Sequence, residues 1–189
     1  MLGSGRPEMG RRDALARLWL HTPRLTLRPL RESDADDMAE LLGDAEALTH
    51  WGPPLDRGGA HDWIGRNLAR YAVDGFGRCA AELAGTHELI GDCGLSTTTV
   101  EGSREVELGW IVRRAHWGRG DATEAAATWR DFAFEVLKLE RIVSMVAPEN
   151  LASRRVAEKL DMRVERRAVW GGELMLMYTL PNGSTSGSV

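Results

Sequence analysis

The sequence predicts a single α+β domain, its strands gathered into a sheet and flanked by helices. Three observations carry that prediction. Short stretches alternate apolar and polar residues with period two, as Arg24–Leu30 does, and others repeat apolar residues with period 3.6. Between Glu105 and Ala126 the period changes from the first kind to the second across a turn punctuated by Gly118 and Gly120. The elements run β-α-α-β-β-β-α-β-α-β-β from residue 24 to residue 180. A chain of 189 residues can bury one substantial core.

Residues 1–22, rich in Gly and Arg and then briefly amphipathic, read as an N-terminal extension. Residues 23–181 form the domain, and 182–189 read as a flexible tail. The first strand is Arg24–Leu30. Ser33 is expected to cap a helix running to about Leu42, with Asp36 at the capping-box spacing and Met38, Leu41 and Leu42 inward. After Trp51-Gly52-Pro53-Pro54 a second helix covers about Gly59–Val73, burying Trp63, Ile64, Leu68, Tyr71 and Ala72. Strands near 77–84 and 88–98 follow, joined by Gly85-Thr86-His87. The central strand is 104–113, and the helix after it is 121–137, with Ala125, Ala126, Trp129, Phe132, Ala133, Val136 and Leu137 on one face. A strand at 141–146, a helix at 150–160 and strands near 163–170 and 173–180 complete the domain.

A net charge of −4 gives no basic field to draw nucleic acid or an anionic membrane. No apolar run approaches the ~20 residues of a membrane span, and Ala14–Leu20 is too short and too charged for a signal core, so a cytoplasmic location is expected. Cys79 and Cys93 read as buried free thiols. The five histidines show no ligand spacing, so no metal is expected. Arg119-Gly120-Asp121 also spells a cell-adhesion tripeptide, which three residues match by chance too easily to carry weight. The chemistry lies elsewhere in the same stretch. A strand, a Gly-x-Gly turn and a helix N-terminus in that order make an anion site, because the glycines let N–H groups approach and the helix start carries about half a positive charge. Trp117-Gly118-Arg119-Gly120-Asp121-Ala122 has neither the Gly-Lys-Ser/Thr ending of a P-loop nor the Gly-x-Gly-x-x-Gly of a dinucleotide site.

That turn resembles the Gln/Arg-x-x-Gly-x-Gly/Ala signature of the GNAT acyltransferases, with Gly120 and Ala122 at the small positions. Trp117 at the first position, with Ala122-Thr123-Glu124-Ala125, is similar to the RimJ/RimL branch, the ribosomal-protein N-terminal acetyltransferase type. Thr22–Leu30 and Val146–Leu160 are typical of the same branch, and the resemblance covers residues 24–180. Asp121 departs from it: an acid there weakens anion binding if it faces the ligand and is harmless if it only caps the helix. The resemblance implies the GNAT fold, a central twisted, mostly antiparallel sheet that splays between its fourth and fifth expected strands, 104–113 and 141–146. It also implies acetyl-CoA as co-substrate, held in that splay, and an amine acceptor. Homodimers are common in the branch.

On this resemblance, pantetheine amides would pair with main chain near Ile111, Val112 and Arg113. The pyrophosphate would take N–H groups from Gly118, Arg119, Gly120, Asp121 and Ala122, beside Trp117, with Arg114 and Arg119 contacting phosphates. Asn150 would touch CoA or simply cap its helix. Ser153 would donate a proton to the leaving thiolate, since Ala157 stands where many relatives have a tyrosine. Glu107 is the candidate base, directly or through water, because an amine of pKa ~8 to ~10.4 must lose a proton before it attacks. The competing role for Glu107 is a salt bridge or electrostatic capture of the acceptor, with Glu105 as its substitute. His116 is expected to be a supporting or surface residue. Trp51, Trp63 and Trp170 either line the acceptor side or are core. Asp161, in place of the usual glycine, is expected to alter a helix C-cap. The expected activity is acyl-CoA-dependent N-acyl transfer, most readily of acetyl, to a protein N-terminal α-amine or a small amine such as an antibiotic or metabolite. The alternatives are another acyl group such as succinyl, or a silent CoA-binding sensor or scaffold.

Overall fold

The computed structural model describes residues 15–183. The first fourteen residues of the expected extension and residues 184–189 of the expected tail lie outside the described residues. The strands are β1 (Leu20–His21), β2 (Leu25–Pro29), β3 (Arg78–Leu83), β4 (Leu89–Val100), β5 (Ser103–Val112), β6 (Arg141–Val146), β7 (Arg163–Trp170) and β8 (Glu173–Pro181). The helices are α1 (Ala35–Gly43), α2 (Arg57–Val73), α3 (Asp121–Glu135) and α4 (Leu151–Lys159), with 3₁₀ turns at Glu32–Asp34 and Arg114–His116. The strands form one 8-stranded sheet in the order β1-β2-β3-β4-β5-β6-β8-β7. Every neighbouring pair is antiparallel except β5 with β6.

Alternation along the strands divides the core between two faces of the sheet. On one face Leu25, Leu27, Cys93, Leu95, Leu108 and Trp110 pack with Ala125, Ala126, Trp129 and Phe132 of α3 and Ala157 of α4. On the other, Leu30, Ala80, Leu89 and Ile111 pack with Met38, Leu41 and Leu42 of α1 and Ala60 and Ile64 of α2. Burying a side chain of this size contributes about 1.5–3 kcal/mol, so each face has its own hold on its helices. The long antiparallel pairing of β4 and β5 runs from Val100↔Ser103 to Gly91↔Val112. By contrast β5 meets β6 at one register pair, Glu107↔Val143, and beyond it the strands part. The expected splay between 104–113 and 141–146 is therefore where the sheet opens.

Several local expectations are corrected. Ser33 does not cap α1, and Asp36 lies on the surface against Arg57 at 2.8 Å. The carboxylate of Asp34 instead accepts the Arg31 N–H at 2.8 Å and both Nη atoms of Arg28, at 2.8 and 2.9 Å. Arg28 is itself buried against Glu82, and a buried guanidinium draws in the nearest acid, which here is the neighbour of the expected cap. Helix α3 ends two residues early: Lys138 turns the chain at φ +54°, and Val136 is left exposed. Ala72 also faces solvent. The β4–β5 connection is tighter than expected, with Glu101 and Gly102 at φ +47° and +85°. Leu20–His21 adds an edge strand beside β2 that the alternation did not reveal. Asp161, expected to alter the cap of α4, instead takes the left-handed φ of +63° that a glycine would adopt there. Replacing Asp34 by Ala is expected to lower the free energy of unfolding by about 3 kcal/mol, since it takes one of two carboxylates from a buried arginine that keeps only Glu82, as urea denaturation measures.

Candidate active site

The direction of the main chain in β5 decides what the opening offers. The Arg113 N–H donates to the Ile90 carbonyl at 2.8 Å, so the odd-numbered residues of β5 exchange their hydrogen bonds with β4. The even-numbered residues Leu108, Trp110 and Val112 therefore turn theirs toward β6. Two contacts agree: Ser144 Oγ donates to the Leu108 carbonyl at 2.6 Å, and Trp117 Nε1 to the Val112 carbonyl at 2.7 Å. Because β6 has already diverged, both main-chain groups of Trp110 and the N–H of Val112 face the gap. Ile111 and Arg113 lie in the same stretch, but their amides point the other way, into the sheet. The gap is a cleft of about 590 Å³. At its vertex it joins a recess of about 20 Å³ lined by Glu107, Ser144 and Met145, and His50, Trp51, Trp110, Asn150 and Ser153 line both.

One end of the cleft is the glycine turn. Gly118 and Gly120 take φ +75° and +86°, left-handed values that a side chain would strain. Gly120 caps α3 without a side-chain hydrogen bond, and the first intrahelical bond is Glu124 N–H to the Gly120 carbonyl. The amides of Asp121, Ala122 and Thr123 consequently have no intrahelical acceptor, and all three residues line the cleft beside Trp117 and Gly118. The buried carboxylate of Asp121 turns to Arg24, whose Nη1 is 2.8 Å away.

Glu107 stands at the vertex with 5% of its surface exposed. Burial pushes its carboxyl up to about 7, while the positive charges of Arg78 and Arg70 and the main-chain N–H of Met145 limit the rise. Arg78 is buried too, paired with Asp92, and its guanidinium lies 5.2 Å from the Trp51 ring and 5.8 Å from that of Trp63. Trp63 donates its indole N–H to Asp92 at 2.9 Å. Gly109 leaves the room for this: a Cβ there would lie 2.1 Å from Arg78 Nη1. Glu105 is committed elsewhere, accepting from Nε and Nη2 of Arg141.

The other expected residues divide clearly. Asn150 Oδ1 accepts the Ser153 N–H at 3.0 Å, so it caps α4, and the residue also lines the cleft. Ser153 lines cleft and recess alike. Arg113 is held by Asp37 at 2.9 Å and Glu40 at 3.0 Å, and Arg114 by Asp44 and Glu46, both at 2.6 Å. Those two arginines fasten α1 and the loop after it to the turn and do not line the cleft. Nor does Arg119, whose carbonyl is taken by Arg24. The cations that do line it are Arg155 and Lys159, one turn apart on α4 and in no ion pair among the described residues. Their i, i+4 spacing was readable in the sequence. His50 was overlooked, having no motif around it. His116 is buried, with Nε2 3.5 Å from Glu88 and Nδ1 3.7 Å from Asp121. Trp51 lines the cleft, and Trp170 donates to Thr98 at 2.9 Å at the far end of the sheet. No cluster of three or more metal-ligating side chains occurs among the described residues, and none of their helices is long and apolar enough to cross a membrane.

A family model described as an acetyltransferase (GNAT) domain matches residues 24–163. An uncharacterized N-acetyltransferase of Bacillus licheniformis is 34% identical over 149 residues, which cover 77% of this chain and 83% of that protein. Among solved structures, the acetyltransferase from Agrobacterium tumefaciens str. C58 is 34% identical with a TM-score of 0.76, over 86% of this chain and 93% of that one. Mycobacterium smegmatis RimJ in complex with CoA-disulfide is 26% identical with a TM-score of 0.71, over 87% of this chain and 85% of that one.

The raised pKa of Glu107 has a sign for stability. A carboxyl that ionises near 7 when folded and near 4.5 when unfolded supports the fold below pH 4.5, and that support is lost as pH rises through 7. Glu107→Gln is therefore expected to be more stable than wild type at pH 8, by roughly 3 kcal/mol, with the gap closing as pH falls toward 4.5. Thermal or urea unfolding across that range measures it.

Proposed function

The chain belongs to the GNAT acetyltransferase family, and from that premise we propose that it carries an acetyl group from acetyl-CoA to a primary amine, with Glu107 and Ser153 moving the protons. The observation that carries the reading is the parting of β5 and β6 after Glu107↔Val143. It sets unpaired main-chain groups, a helix N-terminus and a titrating carboxyl along one continuous cleft. These residues fit an extended acyl-CoA. The amides of Asp121, Ala122 and Thr123 suit a pyrophosphate, and Arg155 and Lys159 offer further positive charge to its phosphates. The amide groups of Trp110 and Val112 can pair with the pantetheine arm as an added strand would. A thioester supplies an acyl carbon already activated toward an amine.

The chain's own work is then proton transfer and charge stabilisation. Glu107, ionised above pH 7, accepts the proton of the incoming ammonium, directly or through a water in the vertex recess. A main-chain N–H facing the gap from Trp110 or Val112 meets the negative charge that develops on the acyl oxygen as the nitrogen–carbon bond forms. The Ser153 hydroxyl hands its proton to sulfur as the carbon–sulfur bond breaks and regains one, through water, from the nitrogen made cationic by the attack. With the first amine proton passing from Glu107 to solvent, the exchange of thioester and ammonium for amide, free thiol and one released proton balances. His50 and Trp51, which line both the cleft and the vertex recess, flank the place where the amine would enter. The acceptor is a protein N-terminal α-amine or a small amine, the former in keeping with the resemblance of Trp117-Gly118-Arg119-Gly120 and Ala122-Thr123-Glu124-Ala125 to the RimJ/RimL branch.

Purified protein is expected to release thiol from acetyl-CoA in the presence of peptides beginning with Ser, Thr, Ala or Met. Its kcat/KM should rise with pH to a plateau above about 7, the value at which Glu107 ionises. Glu107→Gln should lose about 10²-fold in kcat and the pH step with it, and Ser153→Ala about tenfold in kcat. A Glu107→Gln protein with unaltered rate and profile would remove the base from this mechanism. Acetyl-CoA that raises the melting temperature, with no thiol release across peptides, polyamines and aminoglycosides, would point to a sensor instead.

A further inference from the structure

The start of α3 carries an acid where an anion is to bind, and the fold answers it from another element. Asp121 is the first residue of the helix and Glu124 lies in the same turn. Two carboxylates there would outweigh the roughly half positive charge of the helix start. Arg24, just before β2, reaches across to both: Nη1 is 2.8 Å from Asp121 Oδ1 and Nε 2.6 Å from Glu124 Oε2. Its Nη1 also donates to the Arg119 carbonyl at 2.9 Å, inside the glycine turn. Thr22 Oγ1 and the Arg24 N–H complete the hold on Glu124. The remaining ionisable groups facing Asp121 are His116 and, beyond it, Glu88.

We propose that Arg24 is a positioning residue for the acyl-CoA phosphate site, cancelling the Asp121 carboxylate and fixing the Arg119 carbonyl so that the first amides of α3 stay open to an anion. The inference rests on the acyltransferase reading. It assigns a role in co-substrate binding to a residue that stands outside the glycine motif and does not itself line the cleft. A residue that merely stapled β2 to α3 would lower stability and leave the affinity for acyl-CoA independent of the charge at position 121. A residue that cancels charge makes the two positions interdependent.

Thiol release and melting temperature, each with and without acetyl-CoA, are measured for wild type, Arg24→Gln, Arg24→Lys, Asp121→Asn and the double variant Arg24→Gln/Asp121→Asn. Arg24→Gln should raise KM for acetyl-CoA about tenfold with kcat within about twofold. Arg24→Lys, which keeps the charge and loses the fork, should raise it no more than about threefold. Asp121→Asn alone should lower KM about two- to threefold, and in the double variant KM should return to within about threefold of wild type. Equal impairment of Arg24→Gln and the double variant, an unchanged KM in Arg24→Gln, or a raised KM in Asp121→Asn, which needs no change at Arg24, each overturns the inference while wild type remains active. A wild-type protein that neither releases thiol nor is stabilised by acetyl-CoA overturns the acyltransferase reading, and this inference falls with it.

Discussion

A strand that leaves its neighbour must find other partners for its main chain, and that constraint organises this molecule. Buried N–H and C=O groups are almost always paired, so two strands part only where something else satisfies the groups they leave behind. At the vertex the protein supplies it: Ser144 Oγ closes the Leu108 carbonyl. Further along, Trp117 closes the Val112 carbonyl from the side of the glycine turn. What remains unsatisfied on β5 is Trp110 and the Val112 N–H, on the wall of an open cleft. Strand β6 is free to diverge because β8 holds its other edge from Arg141↔Pro181 to Val146↔Leu176. The opening is thus a property of the sheet's connectivity, and α3 and α4 only furnish its ends.

The same vertex sets the acidity of Glu107. Burial alone would carry a carboxyl much further up, and a neighbouring guanidinium alone would carry it down. The two oppose here because Arg78, drawn in by Asp92 and covered by Trp51 and Trp63, lies under the backbone of Gly109. A glycine two residues along the strand from the carboxylate lets a buried cation approach it. The packing on the α1–α2 face and the proton affinity at the bottom of the cleft are therefore one arrangement.

How much of this was legible in the sequence follows from how local each feature is. The positive φ of Gly118 and Gly120 and the cap by Asn150 are decided by near neighbours, and the residue types announced them. The strand–turn–helix order gave the anion site, and the resemblance of that turn to the GNAT signature placed the splay between 104–113 and 141–146. Which amides open into it was not legible, because Ile111 and Val112 differ only by a register fixed when β5 pairs with β4. Nor were the partners of Arg113 and Arg114: Asp37, Glu40, Asp44 and Glu46 lie on a helix and loop far back in the chain, and only tertiary folding brings them to the turn. Three arginines beside an anion site look alike in sequence whether they face the ligand or brace the scaffold. Asp34 prevailed over Ser33 for the same reason, since its attraction is to Arg28 and through it to Glu82.

Asp121 shows what a departure from a local rule does to the rest of a fold. An acidic first residue is favourable to a helix considered alone, because it complements the positive end. It is unfavourable to an anion competing for that same end. The two demands conflict at one position and are reconciled only if the carboxylate is engaged from outside the helix while its own N–H stays free. Arg24 meets both conditions: it approaches from the β2 side, reaches the carboxylate and the Arg119 carbonyl together, and leaves the cleft side of the turn clear. Consistency across levels is restored by a distant residue where the local sequence breaks it, so position 121 cannot be read without position 24.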